Sequence, residues 1–179
     1  VMGADAQRIK FLHDPDEAIL DEEMGRALLP FAAKLGNVAE LREKLLNIMW
    51  DDVGVMRDAT GLTRGIGRIA DLKSELMQVG VAADNLAFNL TWHDWLNLQS
   101  LIDISEVIAK AGLWRENSRG AHFREDFPES GSMESSYFTV AQQSGGLLDV
   151  SREDVKFTIV KPVKPILPDS EPVSLAEAG

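Results

Sequence analysis

From Val38 to Gly112 the apolar residues return every third or fourth position, and a stretch with that period can bury one face only as helix. Val38, Leu41, Leu45, Ile48, Met49, Val53 and Met56 form the first stripe, with Glu40, Glu43, Lys44, Asp51 and Arg57 elsewhere. Asn37 is placed to cap it, and Glu40 stands three residues on, where it can reach back to the cap amide. Thr60-Gly61 closes this element and opens the next, which carries Leu62, Ile66, Ile69, Leu72, Leu76 and Val79. After the loop around Gly80 to Asn85, Thr91 with Asp94 reads as another capping box. The segment behind it holds Trp95, Leu96, Leu98, Leu101, Ile102, Ile104, Val107 and Ile108, which cover more than one face and predict a central helix. Ser105, Ala109 and Gly112 add a strip where another backbone can approach. Long amphipathic segments with short connections predict an antiparallel helical bundle.

Residues 1–13 show no period and read as an irregular lead-in. Asp14-Pro15-Asp16-Glu17 marks a helix start, and the segment runs to about Lys34, with Pro30 ending or kinking it near Leu29. The bundle thus has three to four helices. From about Asn117 the chain reads as loop and strand. Tyr137–Ala141 and Val155–Ile159 are the expected strands of a short ribbon, with Gly145-Gly146 between them, and such a pair needs a surface to lie on. Pro162, Pro165, Pro168 and Pro172 punctuate an extended tail. The expected fold class is therefore mainly α, one domain overall. It comprises a lead-in and first helix over 1–36, a bundle over 37–116, and a loop, ribbon and Pro-rich tail over 117–179.

Several chemistries are excluded by composition. The absence of cysteine removes disulfides, thiolate catalysis and cysteine-held metals or iron–sulfur clusters. A net charge of −11 argues against a nucleic-acid partner. Charges interrupt the apolar stretches too often for a membrane span of roughly twenty residues, so no direct membrane insertion is expected. Asp5, Arg8, Lys10 and Asp14 break up any signal-peptide pattern at the N-terminus. His13, His93 and His122 are too scattered for an evident metal site, and none is expected. Gly61-Leu62-Thr63-Arg64-Gly65-Ile66-Gly67 imitates a dinucleotide fingerprint but lies in a helical pattern, not behind a strand. Trp50, Trp92, Trp95 and Trp114 read as core and interface anchors, His93 as a packing residue at a helix start, and Ser135-Ser136 has no evident base. The acid groups Asp51-Asp52 and Asp21-Glu22-Glu23 read as solvated faces.

The densest polar stretch runs from Arg115 to Pro128. Gly120 offers the left-handed conformation that would stop the preceding helix. Acids are threaded among Arg115, Arg119 and Arg124, so the stretch reads as an ion-pair network. It fits a docking surface between domains, or an active site in which His122 works with Asp126 and Arg119 inside a concave pocket.

Ser118-Arg119-Gly120-Ala121-His122-Phe123-Arg124-Glu125-Asp126-Phe127-Pro128 closely resembles the signature near the end of succinate dehydrogenase and fumarate reductase flavoprotein subunits. The related L-aspartate oxidases usually lack the Arg-Glu-Asp triplet. Leu41 to Leu45, Met49 to Asp58 and Gly61-Leu62 resemble the family's helix with a Met-Trp, a Val-Gly and an Arg, and the resemblance spans about 38–165. Asn117 departs from it, since the family usually has Glu there; here Glu116 stands one residue earlier. The resemblance implies a C-terminal helical domain that packs on the FAD-binding domain of the same polypeptide and supports the assembly of subunits. It implies FAD in the parent protein and none in this chain, no catalytic residue here, and a further partner in the form of an iron–sulfur subunit. The parent would be an FAD-dependent oxidoreductase acting on succinate or fumarate, cytoplasmic and at the inner face of the membrane as part of a complex. Ser118, Arg119, Gly120, His122 and Arg124 would face the flavin domain. The chain would then be a fragment with a bare interface, able to self-associate. The alternative is a freestanding helical protein-interaction module without catalytic activity.

Overall fold

A computed structural model of the chain describes residues 16–81, 85–132, 134–144 and 147–159. Its frame is three helices: α2 (Val38–Asp51), α3 (Ala59–Leu76) and α4 (Leu90–Trp114), preceded by α1 (Glu17–Leu28). Contacts give the directions. Lys44 near the start of α2 reaches Glu75 near the end of α3, while Asp52 just after α2 meets Arg64 early in α3. Trp95 lies at Leu76, and Gly112 lies at Leu62. Both α2 and α4 therefore run antiparallel to α3, as the spacing predicts.

Leu41, Leu45, Ile48, Leu62, Ile69, Leu72, Leu76, Trp95, Leu98, Ile102 and Ala109 form one buried cluster. Trp95 is its largest member, and its indole N–H is shared between the carbonyls of Leu76 (3.2 Å) and Val79 (2.9 Å), so this donor is not stranded in the core. The apolar wrap of α4 is only partly covered, however. Leu101, Ile104 and Ile108 stay 47%, 58% and 41% exposed. Beside them lies an open groove of about 560 Å³ against Leu46 and Met49 of α2.

Three details differ from the sequence reading. The α4 cap is Asn89, whose Oδ1 accepts from the amide of Trp92, so Thr91 already lies inside the helix. The first stripe outruns its helix: α2 stops at Asp51, Val53 packs into the core from the turn, and Met56 belongs to the short strand β2 (Met56–Arg57). In the ribbon, β5 (Tyr137–Ser144) pairs antiparallel with Leu147–Asp154, the last strand, not with Val155–Ile159. Ser144 pairs with Leu147, so only the two glycines lie between the strands, and the short connection selects the nearer partner. The ribbon rests on the end of α4 through Trp114, which meets the Tyr137 ring edge-on at 5.9 Å between centroids.

Other expectations hold. Asp16 caps α1, and a 3₁₀ turn over Leu29–Phe31 takes over where Pro30 ends the helix. Asn37 caps α2 by accepting from the amide of Glu40 at 3.2 Å. Short parallel pairs stitch the frame: β1 (Lys34–Leu35) lies beside β3 (Val79–Gly80), and β2 lies beside β4 (Phe123–Arg124). The lead-in 1–13 and the Pro-rich tail lie outside the described residues. Among those described, no helix is long and apolar enough to cross a membrane.

Gly65 and Gly67 separate packing from helix propensity within one turn of α3. A Cβ on Gly65 would stand 2.9 Å from Asp52 Cβ and 3.1 Å from Val53 Cγ2, whereas one on Gly67 meets nothing within 4 Å. In urea unfolding, Gly65→Ala is expected to lose about 1–2 kcal/mol, overpacking exceeding the propensity gain. Gly67→Ala is expected to gain about 0.5–1 kcal/mol.

Candidate functional site

The polar stretch after α4 folds back against the start of α3, and Arg124 is the reason it can. Its side chain is 1% exposed and every guanidinium nitrogen has a partner. Nη1 donates to the carbonyls of Gly112 (2.8 Å), Leu113 (2.9 Å) and Arg115 (3.2 Å), which α4 leaves unsatisfied at its C-terminus. Nε and Nη2 donate to the two oxygens of Asp126, each at 2.7 Å. Asp126 Oδ2 also accepts from the amide of Ala59, the first residue of α3, at 2.9 Å. A cation thus sits at the negative end of one helix and an anion at the positive end of the next, both favourable placements. Pairing with Arg124, together with the Ala59 amide, holds the Asp126 carboxyl down at about 2, against an ordinary 3.8. The Phe127 ring covers the guanidinium at 5.0 Å.

Ser118 and Arg119 shape the loop. Ser118 Oγ accepts from the Arg124 amide at 2.8 Å and lies 2.9 Å from the Phe127 carbonyl, to which it donates, while its own amide donates to Glu129. Arg119 and His122 exchange backbone bonds across a tight turn in which Gly120 has φ +63°. Gly120 therefore serves that turn and not the helix stop expected of it; α4 has already ended at Trp114. Arg119 directs its guanidinium to the carbonyls of Ser130 (2.9 Å) and Ser132 (2.8 Å) and to Ser136 Oγ (3.0 Å). Arg115 donates to Asn117 Oδ1 at 2.9 Å, and Asn117 Nδ2 donates to the Tyr137 hydroxyl at 3.3 Å. The expected ion-pair network is thus narrower than its charges suggest. Arg124–Asp126 is an ion pair, whereas Arg115 and Arg119 donate to neutral oxygens. The Asn117 departure fits this: an amide both accepts from Arg115 and donates to Tyr137, which a carboxylate cannot do.

His122 packs in the angle of β2 and the end of α4. Its Nδ1 lies 2.9 Å from Arg57 Nη1, which can only donate, so Nδ1 accepts. Its Nε2 lies 3.3 Å from the Arg115 carbonyl, which fixes the neutral Nε2–H tautomer. Burial pushes the imidazole below its ordinary value; the bond to the Arg115 carbonyl opposes this, and the charges of Arg57, Arg115 and Arg124 add to it. Arg57 is held in turn by the carbonyls of Val53 (3.1 Å) and Gly54 (2.6 Å).

All five singled-out residues, Ser118, Arg119, Gly120, His122 and Arg124, come together in this one folded loop. A hydrolytic arrangement of His122 with Asp126 does not form, because Arg124 and the Ala59 amide occupy Asp126 while Arg57 occupies His122. One acid was misjudged by sequence. Asp52 is no solvated residue: its carboxylate is fully buried and receives Arg64 Nε at 2.8 Å and Arg68 Nη1 at 2.7 Å. Arg64 and Arg68 stand four apart on α3, a spacing that puts both on one face, but nothing in sequence says which carboxylate that face meets. Asp51, Asp21, Glu22 and Glu23 are exposed as expected.

The outer side of the loop is apolar. Met56 and Phe123, paired across β2 and β4, are 66% and 38% exposed, and the neighbouring Val55 is 73% exposed. Trp50 is 82% exposed, so of the four tryptophans it is the one turned wholly outward.

Residues 42–167 match the family model described as fumarate reductase flavoprotein C-term. An uncharacterized FAD-dependent oxidoreductase of Methanocaldococcus jannaschii is 28% identical over 134 residues, which are 73% of this chain and 24% of that protein. The fumarate reductase flavoprotein subunit of Haemophilus influenzae is 27% identical over 127 residues, 70% of this chain and 21% of that protein. Among solved structures, the Mycobacterium smegmatis Sdh1 complex in the apo form superposes with a TM-score of 0.70 at 30% identity, covering 84% of this chain and 26% of the other. The chain thus spans about a quarter or less of the proteins it matches.

Arg124→Ala would leave the carbonyls at the end of α4 unsatisfied and Asp126 unpaired, and is expected to cost about 3 kcal/mol in urea unfolding. The Asp126 carboxyl lies below its ordinary value in the folded chain, so its contribution is complete above about pH 4 and lost as pH falls through about 2. Acid unfolding followed by circular dichroism should therefore be shallower between those values in Asp126→Asn than in the wild type.

Proposed function

The chain belongs to the family of fumarate reductase flavoprotein C-terminal domains, and we propose that it caps and braces the FAD-binding domain of a succinate- or fumarate-converting oxidoreductase. One observation carries the reading: next to the braced loop, the fold leaves Val55, Met56, Phe123 and Trp50 uncovered, and a second apolar face runs along Leu101, Ile104 and Ile108. Bare apolar faces beside a rigid polar loop suit a domain normally covered by others.

The division of labour within the loop follows from its bonds. Arg124 and Ser118 spend their polar atoms inward and set the loop's shape from behind. Gly120, with Arg119 and His122 on either side, makes the outward turn that meets the flavin domain. The α2–α4 groove is then free for a second contact, such as an iron–sulfur subunit. Either bare face, when unoccupied, favours self-association.

FAD belongs to the parent protein and not to this chain. The Gly61–Gly67 stretch lies within α3, its amides committed to helix bonds or, at Gly61, to the Asp58 cap, and Gly65 is closed against Asp52, so it offers no phosphate cradle. When bound in the neighbouring domain, FAD would supply the redox step between succinate and fumarate. This chain's residues contribute shape, through the braced loop, and no proton or electron transfer. The complex would lie on the cytoplasmic side of a membrane.

The test is the native polypeptide, isolated from its own cells with an antibody to this domain. A product about four times as long as this chain, with bound flavin, is expected. A flavin-free product of this chain's own length would remove the reading. Met56→Asp with Phe123→Asp in the full-length protein should lower flavin content or assembly, with the helical signal of the domain kept.

A further inference from the structure

His122 has a geometry that a single proton reverses. Both ring nitrogens are occupied in the neutral form: Nδ1 accepts from Arg57 Nη1 at 2.9 Å, and Nε2 faces the Arg115 carbonyl at 3.3 Å. A proton added at Nδ1 would point at an N–H that can only donate, so the bond becomes a donor–donor contact between two cations. No carboxylate bonds to the ring. Arg57 bears on the ring from β2, Arg115 from the end of α4 and Arg124 from β4, and Leu62 of α3 lies by Gly112 beside it. Of the loop's carboxylates, Asp126 is already bound by Arg124 and the Ala59 amide, and Glu116 and Glu125 are exposed.

We propose that His122 and Arg57 form a proton-released latch, closed while His122 is neutral, that holds the outer turn of the loop against β2. Protonation turns the bond into repulsion, frees the Arg119–His122 turn and loosens the β2–β4 pair whose outer side carries Met56 and Phe123. The clasp of Arg124 on α4 does not depend on that proton and stays closed. Acid therefore acts on the docking turn while the bundle is intact. The depressed imidazole value agrees with this direction: the latch is fully closed above the ordinary histidine range and opens as pH falls through the lower folded value.

The experiment is NMR on the full chain from pH 7.5 to pH 4.5, following the His122 imidazole together with amide protection, intrinsic exchange rates divided out. The reporters are the His122 amide, bonded to Arg119, and the Glu125 amide, bonded to Arg57 at 2.8 Å; Ile69 in α3 is the core control. Opening at both reporters is expected to grow by up to about tenfold per pH unit as pH falls from the ordinary histidine value to the ring's own lower midpoint, with Ile69 unchanged. His122→Asn accepts without titrating in this range and should keep both reporters flat. The proposal fails if the ring titrates while the reporters hold, if Ile69 opens with them, or if the Asn variant opens at the same pH. Should that variant not fold, coincidence of ring and reporters in the wild type decides alone.

Discussion

Everything on the functional side of this domain depends on one guanidinium. Arg124 reaches the bare carbonyls at the end of α4 and at the same time grips the carboxylate that accepts from the first amide of α3. One ion pair thus closes the end of α4 and adds to the Asp58 cap of α3, and the opposed signs of those helix ends hold the pair in place. A buried cation is costly alone, but here every guanidinium nitrogen has a partner and the paired carboxylate stands next to it. The loop between Arg115 and Pro128 takes its course from that grip.

A second closure works at the same end of the bundle. Asp52, just past α2, is buried beneath Arg64 and Arg68 of α3, and Gly65 lets the turn approach the helix closely. The two closures meet through β2, which leaves the Asp52 turn and pairs with β4, the strand carrying Arg124. The far end of the bundle is fixed differently, by Trp95 and the parallel β1–β3 pair. One end is closed mainly by charge and the other mainly by packing.

Sequence disclosed the bundle because helical period and caps are local properties: Asn37 and the stripe on α3 are legible within a dozen residues. It misplaced the α4 cap because Thr91 and Asn89 are both good caps two residues apart, and tertiary packing chose between them. It misplaced the second ribbon strand because Val155–Ile159 has better alternation than Leu147–Asp154, yet a connection of two residues outweighs local preference. Asp52 was read as a surface acid for the same reason: its partners lie on another helix. The signature loop was recognisable as a string of residues, but its inner logic was not. That Arg124 turns back to the carbonyls of Gly112, Leu113 and Arg115 depends on the course of the loop, and that Arg57 turns to His122 is visible only when residues 65 positions apart are brought together.

The pairing of β2 with β4 also orders events in time. Met56 and Phe123 are remote in sequence, so joining them early in folding means closing a long loop for the sake of a two-residue ladder. Once α3 and α4 have zipped together, the same residues are already neighbours and the ladder forms at little further entropic cost. The outward-facing surface thus depends on the helices that bring its two strands together, and a partner that reads this surface reads their packing as well.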